Sequence, residues 1–323
     1  MKAAVGTENG LELRDVPQPK PKPNEVLVRV RAAGLNRADL NAARAKSHAS
    51  HATAGNPIGL EWSGEVAEVG GEVKAIKPGD RVLASGSGGY AEYAVCDWGR
   101  IIPMPARGMS FEQAGSLSLA LLTMHDAVVT NGRLKAGESA LIQGASSGVG
   151  IMGLMIAKHM GAKLVIGTST NEARRERLKQ FGADLALDSR DANWPDEVLK
   201  ATGGKGVNLI VDMIAGAIMN QNMKAAAVLG RIVNVGRLGG TKAEFDFDLH
   251  ALRRIDYVGV TFRTRSVEEV REIVRRARAD LWDAIVAGKL RLPIDRTFPL
   301  DQAAAAQAHM KANAHFGKIV LTP

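Results

Sequence analysis

The stretch from Glu138 to Arg175 limits the fold of this chain more than any other part of the sequence. Ser139–Gln143 is a short apolar run typical of a buried strand, and Gly144–Gly150 is a Gly/Ser-rich turn. Apolar spacing over Ile151–His159 predicts a helix, and Lys163–Gly167 reads as a second strand. Strand, turn, helix and strand within about thirty residues form one βαβ unit, so we expect a doubly wound α/β domain.

The turn has the composition of a diphosphate cradle. Small residues let backbone N–H groups approach a diphosphate, and the helix that follows points its N-terminus at the same charge. The letters GVGIMG from Gly148 match the dinucleotide fingerprint, but Gly153 would then lie inside the helix. The alternative register puts Ala145, Ser147 and Gly150 at the three special positions. An ordinary turn of an α/β domain is the competing interpretation. The predicted contact residues are Ala145, Ser146, Ser147, Gly148, Val149 and Gly150.

The end of the second strand indicates which dinucleotide is bound. An NAD site carries an acid there for the ribose 2′-hydroxyl, whereas this chain has hydroxyl residues, including Ser169, and its first acid is Glu172 in the next helix. Arg174 and Arg175 follow within one turn, and guanidinium groups suit a 2′-phosphate. We therefore predict NADP(H), with Ser169 and Arg174 as ligands and the other arginine on a solvated helix face.

Composition narrows the class of protein. The chain has 323 residues, a net charge of +8, 4% aromatic residues and one cysteine, Cys96. This length is enough for two domains, and one cysteine allows neither an internal disulfide nor a cysteine metal cluster. There is no signal-like segment at the start and no apolar run of membrane-spanning length. We expect a cytoplasmic protein with no membrane partner. The positive charge suits NADPH, and its even spread with few aromatics argues against a nucleic-acid partner.

Patterning divides the chain into two regions. The first hundred residues alternate short strands such as Glu25–Gly34 with Gly/Pro turns, which predicts a small β-rich domain. Ser110 opens a helix with a capping box, and Leu117–Thr130 should be a buried helix. Ser266 caps a later long helix, and Gly317–Leu321 should be a strand that returns to the first domain. Six strands with crossover helices are expected near 140–143, 163–167, 185–188, 207–212, 231–235 and 256–260.

Taken together, these segments resemble the zinc-free NADPH quinone oxidoreductases (zeta-crystallin-like) of the medium-chain dehydrogenase/reductase superfamily. The resemblance covers essentially the whole chain, and its strength lies in the order of many modest motifs. These motifs are GASSGVG from Gly144, GLNRADL from Gly34, PIGLEWSG from Pro57, PGDRV from Pro78, GYAEY from Gly89, LT at Leu122, LKAGE from Leu134, VD at Val211, VG at Val235 and GK at Gly317.

The resemblance implies a GroES-like catalytic domain over 1–120 and 263–323 and a Rossmann NADP(H)-binding domain over 121–262, in a homodimer that pairs sheet edges near Tyr257–Val260. It also implies direct hydride transfer from NADPH to a quinone without metal. The positions matching the zinc ligands of related alcohol dehydrogenases are Asn36, Leu60 and Leu119, none of which suits zinc. His48 and His51 lie in a polar loop without a third ligand.

The resemblance assigns roles to individual residues. Asn36 would position nicotinamide or substrate, and Arg37 and Arg263 would stabilise the oxyanion formed on reduction, with a surface ion pair as the alternative for each arginine. Asp39 would brace a helix start, and Glu61 would be a structural carboxylate. The further cofactor contacts implied are Thr123, Gly236, Phe262, Arg263, Asn313 and Lys318.

Two departures from the family leave the substrate open. The loop from Arg44 to Pro57 lacks the aromatic residue of relatives, and Asp188-Ser189-Arg190 replaces an Asn-Tyr-Arg segment, so that Arg190 would stack on the adenine. An enone, enal or enoyl reductase is therefore the enzymatic alternative. A cofactor-bound RNA-binding or structural crystallin-like protein is the alternative of another class.

Overall fold

The computed structural model describes residues 1–7, 10–42 and 55–323, and only the backbone at 41 and 42. His48, His51 and most of the loop from Arg44 lie outside the described residues. The chain divides into two compact units, one of residues 1–122 with 262–323 and one of residues 123–261.

The first unit is built on short strands, as the period-two patterns predict. Those strands are β1 (Lys2–Thr7), β2 (Gly10–Asp15), β3 (Glu25–Gly34), β4 (Glu61–Val69), β5 (Arg81–Ser85), β6 (Tyr93–Asp97), β7 (Ile101–Pro103), β14 (Ile294–Pro299) and β15 (Lys318–Thr322). β1 and β2 pair with each other, and the rest form one sheet in the order β14-β15-β3-β4-β5-β7, with β6 paired to β3. Val320 of β15 lies opposite Gly34 of β3, which confirms the predicted return of the last strand.

Two helices of the first unit begin at the capping boxes that the sequence predicts. The helices are α1 (Asp39–Ala42), α2 (Phe111–Gly115), α3 (Ser118–His125), which continues into the second unit, α9 (Val267–Val286) and α10 (Ala303–Lys311). Ser110 and Ser266 form complete capping boxes with Gln113 and Glu269, which satisfy otherwise unpaired N–H groups at each helix start. Trp62 and Tyr90, both fully buried, lie in the core of this unit.

The second unit contains the predicted doubly wound sheet. Its strands are β8 (Ser139–Ile142), β9 (Leu164–Thr168), β10 (Leu185–Leu187), β11 (Val207–Asp212), β12 (Ala226–Asn234) and β13 (Asp256–Gly259). All pair in parallel in the order β10-β9-β8-β11-β12-β13. The order reverses between β8 and β11, and ligands of such sheets bind outside the carboxyl ends of the strands at this switch point. Its helices are α4 (Gly148–His159), α5 (Glu172–Leu178), α6 (Trp194–Ala201), α7 (Met219–Ala225) and α8 (Phe247–Arg253).

Three element boundaries differ from the sequence prediction. Helix α4 begins at Gly148 instead of Ile151, because the Ser147 side chain caps it by accepting from Gly150 N. β12 begins five residues before the predicted 231, because a bulge around Leu229, whose φ is 61°, lets Ala226 pair with Val207. The predicted helix 117–130 is α3 followed by a π-helical turn over Asp126–Asn131.

Candidate active site

The turn between β8 and α4 is held by bonds to the neighbouring strand β9. Gly144 N donates to Thr168 Oγ1 at 3.1 Å, and Ala145 N donates to Thr168 O at 2.8 Å. Ser147 Oγ donates back to Gly144 O at 3.0 Å while it accepts from Gly150 N at 3.0 Å. These bonds fix the turn before any ligand binds.

Close packing at Gly150 decides the register of the fingerprint. A Cβ at this position would lie 2.6 Å from Ala145 Cα and 2.6 Å from Gly144 O, so only glycine lets the helix start this close to the turn. Gly153 lies inside α4, and its Cβ would first meet Met124 Sδ at 3.0 Å, the flexible end of a side chain. The structure thus supports the register of Ala145, Ser147 and Gly150.

The turn fits a dinucleotide diphosphate. Gly148 and Val149 are the first two residues of α4, so their N–H groups have no acceptor within the helix. The helix dipole adds partial positive charge at the same end. Ser146, next to these groups, shares a 2.9 Å hydrogen bond with Ser169 beyond β9. Backbone donors, positive potential and close approach therefore coincide at the first strand of the switch point.

Two arginines and an aspartate lie beyond the carboxyl ends of β9 and β10. Arg175 Nη1 donates to Ser169 O at 3.1 Å and to Asp188 Oδ2 at 2.9 Å. Arg190 donates to Asp188 through its backbone N and side-chain Nε, at 3.0 and 3.1 Å, and through Nη2 at 2.8 Å. The hydrogen bonds from Arg190 hold the pKa of Asp188 well below its usual range. Arg174, on the same helix as Arg175, is partly buried.

A buried polar row that the sequence did not reveal supports the carboxyl edge of the sheet. Thr168 Oγ1 donates to Gln143 Oε1 at 2.6 Å, and Gln143 Nε2 donates to Asn222 Oδ1 at 2.8 Å. Asn222 Nδ2 then donates to Asp212 Oδ2 at 3.0 Å. Asp212 Oδ1 accepts from Ile214 N and Ala215 N, and burial raises the pKa of this carboxyl. The row links the ends of β9, β8 and β11, and the one hint in the sequence is a polar residue closing each apolar strand.

Gly236 and Thr123 are the remaining predicted contacts of the second unit. A Cβ on Gly236 would lie 2.4 Å from Met213 O, so the turn after β12 packs directly on the turn after β11. Thr123 is partly exposed although its neighbours Leu122 and Met124 are fully buried. The close backbone packing at Gly236 and the partial exposure of Thr123 therefore distinguish both positions from ordinary core residues.

A buried ionic cluster dominates the predicted site residues of the first unit. Lys318 Nζ donates to Leu35 O at 2.8 Å, Asn36 Oδ1 at 2.8 Å and Glu61 Oε1 at 2.5 Å. Asn36 Nδ2 donates to Glu61 Oε1 at 3.0 Å and to Gly34 O at 3.2 Å. An ammonium has three donors and an amide nitrogen two. In this arrangement Lys318 has no hydrogen left for a cofactor, and Asn36 keeps a free lone pair on Oδ1 at most.

Asp39 extends this cluster and braces the turn before α1, as expected from the sequence. Its Oδ2 accepts from Tyr90 OH at 2.6 Å and from Asn36 N at 2.8 Å. Its Oδ1 is buried without a hydrogen-bond partner among the described residues. Burial raises the pKa of Asp39 to about 7. Tyr90 was not predicted as part of this cluster, because nothing in the GYAEY motif marks a tyrosine that contacts a carboxylate.

The other predicted residues of the first unit are more exposed. Arg37 donates through Nη2 to Asn313 Oδ1, which ties the turn before α1 to the segment before β15. Asn313 has a φ of 56°, a left-handed conformation that asparagine tolerates. Phe262 is partly buried and Arg263 is exposed. Among the described ranges, no group of three or more His, Cys, Asp or Glu side chains could hold a metal ion. No helix in those ranges could cross a membrane.

Comparison with known proteins gives the family. Residues 22–106 match the alcohol dehydrogenase GroES-like domain, and residues 148–278 match the model named zinc-binding dehydrogenase. The chain is 32% identical over 312 residues to a quinone oxidoreductase of Sus scrofa, covering 95% of this chain and 92% of that protein. It is also 30% identical over 317 residues to a phenolphthiocerol/phthiocerol polyketide synthase chain of Mycobacterium tuberculosis, covering 98% of this chain and 14% of that protein.

A solved structure agrees with the sequence relatives. The quinone oxidoreductase of Pseudomonas syringae pv. Tomato DC3000 is 27% identical and superposes with a TM-score of 0.87 over 100% of this chain and 99% of that one. The GroES-like and Rossmann-like units and the matches to quinone oxidoreductases over nearly their full length together show that the chain is a nicotinamide-dinucleotide-dependent oxidoreductase of the quinone oxidoreductase family, within the medium-chain dehydrogenase/reductase superfamily.

Proposed function

We propose that this enzyme reduces quinones by direct hydride transfer from NADPH. The observation that carries the cofactor choice is the state of Asp188, the acid that directly follows β10, the neighbour of β9 in the sheet. A carboxylate has about four lone-pair sites, and Asp188 uses them on three bonds from Arg190 and one from Arg175. Asp188 therefore cannot accept a hydrogen bond from the ribose 2′-hydroxyl, which is the contact by which NAD sites recognise their ligand.

The surrounding charge favours a 2′-phosphate. Arg174, Arg175 and Arg190 outnumber Asp188, so the group carries net positive charge before a ligand binds. We assign the phosphate contacts to Ser169, which directly follows β9, and to Arg174, in the first turn of the next helix. Arg190, whose side chain is 67% exposed, keeps its bonds to Asp188, and we assign the face of its guanidinium to stacking on the adenine.

Bound NADPH supplies the hydride, and the chain orients the cofactor and stabilises the charge that forms on the acceptor. In the second unit, we assign the diphosphate to the turn Ala145–Gly150 and further contacts to Thr123 and Gly236. In the first unit, Arg37 and Arg263 are the guanidinium groups that we assign to the developing oxyanion. Phe262 and Asn313 complete the proposed contacts. Asn36 and Lys318 have their polar groups engaged with each other and with Glu61, so we assign them to support instead of ligand contact.

Reduction of an activated C=C bond is the second candidate. The match to a polyketide synthase over 98% of this chain favours it. Hydride addition to the β-carbon of an enone or an enoyl thioester breaks the C=C π bond and leaves an enolate oxyanion, to which a proton is then added at the α-carbon. The same arginines would serve either reaction.

Initial rates with a set of acceptors test the proposal. The purified enzyme is given NADPH with a benzoquinone, a naphthoquinone, an enone, an enal and an enoyl thioester, and oxidation is followed at 340 nm. We expect the quinones to give the highest kcat/KM. A higher kcat/KM for the enone or thioester would replace quinone reduction by alkene reduction. Clear NADPH binding without turnover of any acceptor would contradict both and favour a non-enzymatic role.

We also propose a cytoplasmic homodimer. Within the described residues β13 is the last strand of its sheet and pairs only with β12. Tyr257 on this strand is 45% exposed, and Leu252 nearby in the chain is 73% exposed, as suits an edge that adds the strand of a second copy. A cytoplasmic location agrees with Cys96 being the single cysteine and buried. Light scattering should give the dimer mass for wild type and the monomer mass for Tyr257→Asp; a monomeric wild type would contradict the assignment.

A further inference from the structure

The ammonium of Lys318 occupies a site built from three oxygen atoms of two separate segments. Its acceptors are Leu35 O and Asn36 Oδ1, just after β3, and Glu61 Oε1 at the start of β4. Lys318 is the first residue of β15 and is 3% exposed, and Glu61 is 0% exposed. Lysines are rarely buried this fully unless they are paired.

Glu61 has hydrogen-bond partners on both of its oxygens. Oε1 accepts from Lys318 Nζ and Asn36 Nδ2, and Oε2 accepts from Leu119 N at 2.8 Å. Ser118 Oγ lies 3.3 Å from Oε2, and its single hydrogen is shared with Ala84 O at 2.8 Å. A Cβ on Gly34 would lie 2.7 Å from Glu61 Oε1, so the backbone is closed tightly around the carboxylate. The surrounding fold therefore holds the Lys318–Glu61 ion pair in a single geometry.

Charge balance makes the ammonium indispensable to this cluster. Glu61 and Asp39 both lie inside it, Asp39 at 1% exposure, and Lys318 is the single cation bonded to either carboxyl among the described residues. Without the ammonium, Glu61 would be a buried carboxylate with no counter-ion, a strongly unfavourable state. Loss of the ammonium should therefore loosen the contacts of Glu61, including its bond to Asn36.

The cluster fixes the turn that carries Arg37. Asn36 N donates to Asp39 Oδ2 at 2.8 Å, and Asp39 N donates to Asn36 O at 2.9 Å, so Arg37 sits in a closed turn whose first residue is bonded to Lys318. The Arg37 guanidinium is in turn bonded to Asn313, in the segment that leads into β15. The segment that contains Asn313 and Lys318 therefore holds this turn at two places. Lys318 bonds the side chain of Asn36, and Asn313 bonds the guanidinium of Arg37.

We infer that Lys318 is a positioning residue for the reduction, because its ammonium acts as an internal cation that holds the Asn36–Asp39 turn and thereby aims Arg37. The inference rests on the proposed function for the role of Arg37 in turnover. The oxygen-lined ammonium site itself does not depend on that role.

Chemical rescue of Lys318→Ala tests the inference. The truncation removes as many heavy atoms as n-propylammonium contains, so this ion can restore both the stem and the charge. We expect kcat with NADPH and the best acceptor to fall by about 10- to 100-fold, as for a small misplacement of a reacting group, with KM for NADPH little changed. Propylammonium chloride should restore kcat several-fold, and sodium chloride at equal ionic strength should not.

Two further variants separate charge from packing. Lys318→Met keeps an apolar stem without the charge, so its kcat should fall similarly and show no rescue. Lys311→Ala, at an exposed position on α10, should match wild type in both salts. Normal kcat in Lys318→Met, or equal rescue of Lys318→Ala by sodium, would overturn the inference. If Lys318→Ala does not fold in either salt, the kcat of Lys318→Met decides.

The thermal midpoint gives a second readout that does not require turnover. Propylammonium should raise the midpoint of Lys318→Ala more than sodium does and should leave Lys311→Ala unchanged relative to sodium. If wild type reduces none of the acceptors, the proposed function fails, whereas this shift still supports the ammonium site. Equal midpoints in the two salts would then overturn the site as well.

Discussion

Replacing Gly150 with alanine perturbs the proposed diphosphate turn at its tightest point. The new Cβ would lie 2.6 Å from Ala145 Cα, whereas ordinary contacts begin near 3.4 Å. Ala145 Cα is part of the backbone and the new Cβ is fixed to the backbone at residue 150, so neither atom can rotate away. The start of α4 must therefore move by about 0.8 Å, the difference between the two distances. A hydrogen bond of about 2.9 Å from this helix start to a phosphate would then exceed 3.5 Å and be lost.

That displacement sets the expected size of the effect. A hydrogen bond to a charged group contributes about 1.5–3 kcal/mol, so losing one weakens NADPH binding by about 10- to 100-fold. Overpacking should also lower the free energy of unfolding by about 1–3 kcal/mol. The assay is the Kd of NADPH from its fluorescence on binding, with urea unfolding to confirm that the variant is folded at the assay temperature.

Gly153→Ala is the matched control, because it lies one turn further along the same helix. Its Cβ would meet the end of the Met124 side chain, which can move, so Kd should stay within about threefold of wild type, less than one hydrogen bond. The reasoning would be refuted if Gly153→Ala weakened NADPH binding as much as Gly150→Ala, since the literal GxGxxG register would then be the functional one.

Two further predictions concern stability. Asp39 has a pKa of about 7 in the folded protein and 3.8 in its free state. The native protein therefore keeps a proton that the unfolded chain releases, which stabilises the folded state at low pH. This stabilisation is lost as pH rises from about 4 to about 7. Urea unfolding at pH 5 and pH 8 should show wild type losing about 2–3 kcal/mol of unfolding free energy relative to Asp39→Asn, because about two units of the pKa difference lie above pH 5; parallel behaviour of the two proteins would contradict the assignment. Arg231 is 8% exposed and bonds both Glu138 oxygens and Gly132 O. Its replacement by alanine should lower the free energy of unfolding by about 3–5 kcal/mol. Lys200→Ala, at an exposed position, should change it by no more than about 0.5 kcal/mol, and similar losses in both variants would refute the burial argument.

Local patterns explain why much of the fold could be predicted. The strand, turn and helix around Gly150 are contiguous, and their signals arise from residues that contact one another within a few positions. The capping boxes at Ser110 and Ser266 are equally local, since the cap and its partner lie three residues apart. Six parallel strands were therefore placed correctly, with errors at boundaries where a cap or a bulge acts.

The polar networks could not be predicted, because their members come together only in the folded chain. Lys318 and Glu61 are 257 residues apart in sequence, and Gln143 and Asn222 are 79 apart. Lys318 and Glu61 each belonged to a recognisable motif, but no pattern in the sequence shows that Lys318 uses all its donors inside the first unit. A lysine heading an apolar strand was the one signal of burial. Asp188 shows the same limit, since its saturation depends on the arginines around it.

The most direct test of the account compares NADPH with NADH in wild type and in Arg174→Ala, using one quinone for all assays. We predict that wild type has a kcat/KM at least about 10-fold higher with NADPH, as one or more charge-assisted hydrogen bonds to the 2′-phosphate imply. Arg174→Ala should lose most of this preference through a higher KM for NADPH and should leave the constants for NADH unchanged. Equal kcat/KM for the two cofactors in wild type would contradict the 2′-phosphate site and with it the proposed NADPH-dependent reduction.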